Sequence, residues 1–296
     1  GDPRRAARRR VAEANDWAHR YEAIDAGIAA AHPLVSIVIV TYGGSDLTRD
    51  CLESLGRETW PRLEVIVVDN ASGDGTPALL REAAASDPRV RTIFNAENRG
   101  FAAANNQGIA ASRGEVVVLL NNDTVVPPGL IGSLVRHLQR DPSIGLLCST
   151  TNFCGNEALV EPDYKDIADL PAYAARRARE QRGRVFDIGV AAMYCVAARR
   201  AVLEDVGSLD EAYGVGMFED DDLAVRMRAK GYRVACAEDA YVHHVGQGAF
   251  RKLSPEEYNA LWKRNQAYFE KKFGVAWKKH APRKGVSAVA SKVGVE

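Results

Sequence analysis

Val35-Ser36-Ile37-Val38-Ile39-Val40 is a short run in which every side chain but Ser36 is apolar and β-branched, and it passes directly into Thr41-Tyr42-Gly43-Gly44. Such a run is too short for a buried helix and has no polar face, so it reads as a strand covered on both sides. The same reading applies to residues 64–68, 90–94 and 115–120. Helical patterns fill the intervals at 45–57, 76–86 and 102–112. Strands alternating with helices at this spacing predict βαβ units. The expected fold class is α/β, with a Rossmann-like, mostly parallel central sheet flanked by helices and with helical extensions at both ends.

Outward from this block the pattern loosens. Residues 3–31 are rich in Ala, Arg and Glu and read as a helix broken near Gly27, with Pro33 stopping any continuation. Downstream, helices are expected at 171–182, 198–206 and 220–230, the last closed by Gly231. A strand with a glycine break is expected over 184–196 and a short one over 234–237. Ser254-Pro255-Glu256-Glu257 is a capping box with proline at the first helical position; its helix runs to Phe273 and stops at Gly274. Residues 280–296 read as disordered, and no internal repeat is evident.

The bulk numbers narrow the function. A chain of 296 residues can bury a sizeable core, as one large α/β domain or two small ones. Its formal net charge is zero, which argues against a nucleic-acid partner. Arg4, Arg5, Arg8, Arg9 and Arg10 cluster near one end, and Lys278, Lys279, Arg283 and Lys284 near the other. Solvated tails explain both clusters; peripheral contact with an acidic membrane surface is the sharper alternative. The five cysteines are odd in number and match no CxxC or zinc spacing, so free thiols in a reducing cytoplasm are expected. No apolar run approaches a membrane span and no signal peptide is visible. The abrupt start at Gly1-Asp2-Pro3 suggests a piece of a longer protein.

Each of the four N-terminal strands ends in polar or small residues: Thr41-Tyr42-Gly43-Gly44, Asp69-Asn70-Ala71-Ser72, Asn95-Ala96-Glu97-Asn98-Arg99-Gly100 and Asn121-Asn122-Asp123. In open α/β sheets, ligands bind outside the carboxyl ends of the strands. Thr41, Asp69, Asn95 and Asp123 are therefore expected to converge on one crevice, although any one alone could be a turn residue or cap. No G-x-G-x-x-G follows the first strand and no G-x-x-x-x-G-K-[ST] occurs, so a divalent cation shared with a carboxylate is the expected phosphate anchor. Glu219-Asp220-Asp221-Asp222 places four acids in succession. A helix N-terminus accounts for one or two of them. Asp222 suits that structural role, and an acid just before the helix could instead face the crevice as a general base. His243-His244 offers an imidazole to the acidic strand end, with either histidine a candidate metal ligand.

Six stretches, in order, carry a resemblance. They are Val35 to Tyr42, Val67-Val68-Asp69-Asn70-Ala71-Ser72-Gly73-Asp74-Gly75-Thr76, Asn98-Arg99-Gly100-Phe101-Ala102-Ala103-Ala104-Asn105-Asn106, Leu119-Leu120-Asn121-Asn122-Asp123-Thr124, Phe218 to Arg226 and Val242-His243-His244. Over residues 33–275 the chain resembles family-2 glycosyltransferases of the GT-A fold, particularly the bacterial rhamnosyltransferase-like branch. The resemblance implies that Thr41, Tyr42, Asp69, Asn98, Arg99 and Asn122 hold the nucleotide, with Asp69 accepting from the base. It implies that Asp123 binds Mn2+ or Mg2+, that His243 or His244 completes the metal shell, and that Asp220 is the catalytic base.

The implied reaction is inverting transfer from a UDP-, dTDP- or GDP-linked sugar to a glycan or glycolipid hydroxyl. Bacterial polysaccharide or glycoconjugate synthesis at the inner face of the cytoplasmic membrane is the implied setting. The implied units are an extension at 1–32, a nucleotide-sugar half at 33–145, an acceptor and catalytic half at 146–250, and a helix with a basic tail at 251–296. Residues 150–157 and the glycine-rich 213–217 are expected on the acceptor side, the latter flexible enough to close over an acceptor.

Four positions depart from the family pattern: Asn121 and Asn122 replace the first two positions of the D-x-D element, Gly43 stands where asparagine is common, and Asp221 where an apolar residue is common. Two rival readings are a sugar-phosphate nucleotidyltransferase, for which Gly43-Gly44-Ser45-Asp46 is a poor loop, and a non-catalytic binding module of a larger synthase.

Overall fold

The structure is a computed structural model that describes residues 15–246 and 254–283, together with Arg4, Ala7, Val11 and Ala12. Most of the expected helix before residue 15, Lys284 and the expected disorder at 284–296 lie outside the described residues. Helix α1 (Trp17–Ala31) is capped by Asp16, whose side chain accepts from His19 N at 2.9 Å. It runs through Gly27 without a break, since one glycine costs a helix only about 1 kcal/mol against alanine.

The N-terminal block alternates as expected: β1 (Val35–Thr41), α2 (Ser45–Gly56), β2 (Leu63–Asp69), α3 (Thr76–Ser86), β3 (Val90–Phe94), α4 (Phe101–Ala111) and β4 (Val116–Asn121). These strands lie parallel in the order β3-β2-β1-β4. Every residue of β2 is buried, which is why the runs show no polar alternation. Helix α4 lies close on β1 because Gly108 has no side chain; a Cβ there would fall 2.2 Å from Val38 Cγ1. The order turns back between β1 and β4, and a crevice opens at such a switch point.

The second half continues the same sheet with β5 (Thr124–Val125), α5 (Leu130–Arg140), β6 (Ile144–Thr151), α6 (Leu170–Glu180), β7 (Val185–Asp187), β8 (Cys195–Arg199), α7 (Arg200–Val206), α8 (Glu219–Ala229), β9 (Arg233–His244) and α9 (Pro255–Phe273). The sheet extends as β4-β8-β6-β9-β5, with β7 also on β9. Strand β8 is antiparallel to both neighbours, so the sheet is mixed here.

Three expectations are corrected. The strand expected over 184–196 is two strands in different places, β7 on β9 and β8 between β4 and β6. The short strand expected at 234–237 is the first third of β9, which kinks rather than ends: Ser149 faces Ala237, but Thr150 faces Tyr241. The acids at the kink are satisfied, Asp239 by His137 Nε2 at 2.6 Å and Glu238 by Arg177 at 2.8 Å. Residues 280–283, expected disordered, are tied down by His280 and Arg283. All five cysteines are free thiols.

Candidate active site

The carboxyl ends of β1, β2 and β4 meet in register, with Thr41 opposite Asp69 and Val40 opposite Asn121. The loops leaving them are stitched together. Gly43 N donates to Ser72 Oγ at 2.6 Å and Gly44 N to Asp74 Oδ2 at 2.8 Å. Asp69 is buried and accepts from Ser72 N at 3.3 Å. Asn122, an uncharged member of the expected acidic element, donates through Nδ2 to Thr48 Oγ1 at 3.0 Å and lies 3.4 Å from Thr41 Oγ1. It therefore ties the end of β4 to β1 and α2. Tyr42 borders this crevice in sequence and is partly exposed.

The end of β3 does different work. Asn95 exchanges amide hydrogen bonds with Gln107 at 2.9 and 3.0 Å and donates to Asn70 at 3.0 Å, so its side chain is spent inside the loop. Asn98 Oδ1 accepts from Asn70 Nδ2 at 2.7 Å and from Gly100 N at 2.9 Å, while Arg99 N donates to Asn70 Oδ1 at 3.0 Å. The Arg99 side chain is exposed. Gly100 has φ +86° and faces the 213–217 loop; a Cβ there would sit 2.0 Å from Gly214 O.

The two histidines separate cleanly. Because side chains alternate along β9, His243 and His244 point opposite ways. His243 Nδ1 is 2.5 Å from the Tyr164 hydroxyl, and burial holds its pKa below the usual imidazole value. His244 turns to the crevice, its Nε2 3.2 Å from Oδ1 of the buried Asp123. Its Nδ1 lies 2.8 Å from Phe153 O. A carbonyl can only accept, so Nδ1 carries a proton, and Nε2 is the ring nitrogen turned to the Asp123 carboxylate. The ring is clamped by Asn152, which bonds both the N–H and the C=O of His244 at 2.8 and 3.0 Å, and by Tyr194 stacked at 5.5 Å. Residues 152 and 153, expected on the acceptor side, thus support His244. Among the described residues no group of three His, Cys, Asp or Glu side chains forms a ready metal cage.

The four acids form the first turn of α8 and have four different environments. Asp222 is fully buried, accepting from Arg226 Nε at 2.6 Å and Tyr213 OH at 3.0 Å and pairing with Lys272. Asp221 Oδ1 accepts from Trp277 Nε1 at 2.9 Å and lies 2.8 Å from His280 Nε2. Asp220 accepts only from the Asp221 N–H, at 3.0 Å, among the hydrogen bonds of the described residues. Burial first, then the Asp221 charge, pushes its carboxyl well above the usual range. Glu219 is pushed up by burial and by Asp220, and its Oε2 has no hydrogen-bond partner.

Met217 and Phe218, just before this turn, have φ +76° and +75°, a conformation costly for large side chains. The preceding loop is held rather than free. Asn265 Nδ2, buried on α9, lies 2.8 to 3.1 Å from the carbonyls of Tyr213, Gly216 and Met217, and Arg264 donates to Tyr213 O at 2.8 Å. The flexible flap expected over 213–217 is corrected on that ground. Asn265, Trp277 and His280 were invisible as site residues in the sequence, because each acts on the acidic turn from far along the chain.

Residues 36–207 match the family model described as glycosyl transferase family 2, more than half of the chain. The chain belongs to that family. Among curated relatives, the uncharacterized protein y4gI of Sinorhizobium fredii is 29% identical over 267 residues, covering 84% of this chain but 28% of that protein. The succinoglycan biosynthesis protein ExoO of Rhizobium meliloti is 29% identical over 250 residues, 81% of this chain and 69% of that protein. The chain thus spans under a third of the first of these relatives. Among solved structures, a mannosyltransferase from Pyrobaculum calidifontis, in complex with GDP-Man and Mn2+, has a TM-score of 0.58 at 24% identity, covering 84% of this chain and 66% of that one. GalNAc-T7, solved with UDP, GalNAc and Mn2+, has a TM-score of 0.60 at 15% identity, covering 81% and 51%. These two likenesses establish the GT-A fold for this member of family 2.

Proposed function

We propose that this chain transfers a sugar, with inversion, from a nucleotide-diphosphate donor to an acceptor hydroxyl, and that the transfer depends on a divalent cation. The observation that carries the reading is the pair Asp123 and His244, whose Oδ1 and Nε2 face each other at 3.2 Å beside the switch point of the sheet. One carboxylate and one imidazole with a fixed tautomer suit Mn2+ or Mg2+, the remaining ligands coming from phosphate oxygens and water. His244 is the ligand of the two histidines, since His243 is turned to Tyr164. A cation bound there would neutralise charge gathering on the departing diphosphate.

The chain's own residues supply the rest. Asp69, Thr41 and Tyr42 form the wall for the nucleoside, and the loop organised by Asn98 and Arg99 borders it. Asn122 holds that wall together. Asp220 takes the proton of the acceptor hydroxyl as its oxygen bonds to the anomeric carbon and the bond from that carbon to the diphosphate breaks. Its raised pKa suits a base working near neutral pH. The setting proposed is bacterial polysaccharide or glycoconjugate synthesis in the cytoplasm, at the inner face of the membrane, within a longer chain.

Calorimetry with UDP, dTDP and GDP, in Mn2+ and in EDTA, tests the reading. At least one nucleotide should bind in Mn2+ at least tenfold more tightly than in EDTA, and Asp123→Ala should remove that difference. Equal affinity in both buffers would sink the cation site.

A further inference from the structure

Helix α9 ends at Gly274, and the chain then turns back along the start of α8 as a strap over residues 275–283. The strap is pinned at both ends. Trp277 N donates to Glu270 Oε1 at 3.0 Å, and its ring packs on Phe218 and Trp262 with centroids 5.4 and 5.3 Å away. Arg283 pairs with Glu238, its guanidinium 4.4 Å from the Phe186 ring centroid. Between these anchors His280 Nε2 lies 2.8 Å from Asp221 Oδ1, the oxygen that also accepts from Trp277 Nε1. The Asp221 N–H in turn donates to Asp220 Oδ1 at 3.0 Å.

We propose that His280 is a positioning residue for sugar transfer: through Asp221 it fixes the first turn of α8, and it holds a positive charge beside Asp220. The proposal rests on the assignment of Asp220 as the base. It also gives Asp221 a purpose. A third carboxylate beside Glu219 and Asp220 adds repulsion to the turn, which a cation arriving from elsewhere in the chain offsets.

The ionisable groups facing Asp220 are Glu219 and Asp221 on its own helix and His280 on the strap. Those facing His280 are Asp221, Asp220 and Glu157, the last from the loop after β6. Three carboxylates around one imidazole favour its protonated form, and its pKa is raised, chiefly by the bond to Asp221. The sign of the coupling follows. A cation beside Asp220 favours the carboxylate, opposing the burial and like charge that favour the acid. Without it Asp220 would take up its proton at a higher pH and lose base character on the acidic side. Above the raised pKa of His280 the help disappears.

The test needs no acceptor. The chain, labelled with 13C at aspartate carboxyls, is titrated by NMR as native protein, His280→Gln and His280→Lys, with Asp220→Asn assigning the resonance. Glutamine keeps a donor to Asp221 without the charge; lysine keeps the charge without the ring. The Asp220 midpoint should move up by about one pH unit in His280→Gln, a tenfold loss of ionised base on the acidic side. It should stay near native in His280→Lys. Superimposable native and His280→Gln titrations of folded protein would overturn the proposal, and so would equal shifts in both variants, which would make the effect one of shape. Release of nucleoside diphosphate from UDP-glucose, dTDP-rhamnose and GDP-mannose with Mn2+ separates the two assignments. If Asp220→Asn matches the native rate, the base assignment fails and the proposed role of His280 in transfer falls with it. If Asp220→Asn is inactive while the His280→Gln midpoint is unmoved, only the role of His280 fails.

Discussion

At the scale of the residue, neighbouring acids of one type behave differently because different parts of the chain reach them. Asp222 is buried against Arg226, Lys272 and Tyr213, whereas Asp220 has only a backbone N–H. Asp220→Asn should therefore lower the rate of transfer by about 10²- to 10⁴-fold with donor affinity held within a few-fold. Asp222→Ala removes a buried carboxylate that accepts from Arg226, Tyr213 and Lys272 and should cost about 1–3 kcal/mol of stability. Urea unfolding alongside single-turnover transfer distinguishes them; a stable but inactive Asp222→Ala would move the base to that residue. The pH dependence follows the same geometry. Asp220 works as a carboxylate and its pKa is raised, so transfer should climb through the neutral range instead of levelling off near the ordinary carboxylate pKa. A rate profile already flat at pH 5.5 would contradict an Asp220 base. The sequence singled out Asp220 and Asp123 as candidates because each sits at the edge of a recognisable pattern. It left His243 and His244 open, since two adjacent imidazoles differ only in which face of β9 they occupy.

At the scale of the element, β1, β2 and β4 were readable because strands buried on both faces leave apolar runs whatever they pack against. Strand β6, Ile-Gly-Leu-Leu-Cys-Ser-Thr-Thr, is buried throughout but carries glycine and hydroxyls, so no run marks it. The acids at 238 and 239 hid the length of β9, since their partners His137, Arg177 and Arg283 come from distant elements. The loop 213–217 shows the same limit. Its two glycines, Gly214 and Gly216, read as freedom, while the restraint comes from Arg264 and a buried asparagine on α9. Asn265→Ala takes this donor from the Gly216 and Met217 carbonyls and should cost about 1–3 kcal/mol. It should also slow transfer, because the loop leads into the strained pair Met217 and Phe218 that sets the start of α8. Hydrogen exchange over 213–218 that stays at the native rate in Asn265→Ala would show that the asparagine does not hold the loop.

At the scale of the whole molecule, one nine-stranded sheet runs through both halves of the chain, and α1 stands apart from its core. Trp17, Tyr21, Ile24 and Ile28 recur at helical spacing along α1 and are all exposed, from 80% at Trp17 to 44% at Ile28. No described helix is long and apolar enough to cross a membrane. An apolar stripe next to five arginines at positions 4 to 10 suits an anionic lipid surface. The chain should float with phosphatidylglycerol-containing vesicles but not with phosphatidylcholine alone, and Ile24→Glu should abolish flotation. Equal flotation with both, or with neither, would remove lipid contact from the proposed function. The sequence by itself determined the α/β class, the parallel core and the strand-end residues, because burial and helix periodicity write themselves into local composition. Only the tertiary structure decided that His244 rather than His243 meets Asp123, that Asp222 is buried against Arg226, Tyr213 and Lys272, and that the C-terminal strap reaches the acidic turn. Each of those depends on which distant side chain arrives at a given atom, and no local pattern records the register of strands or the path of a returning tail.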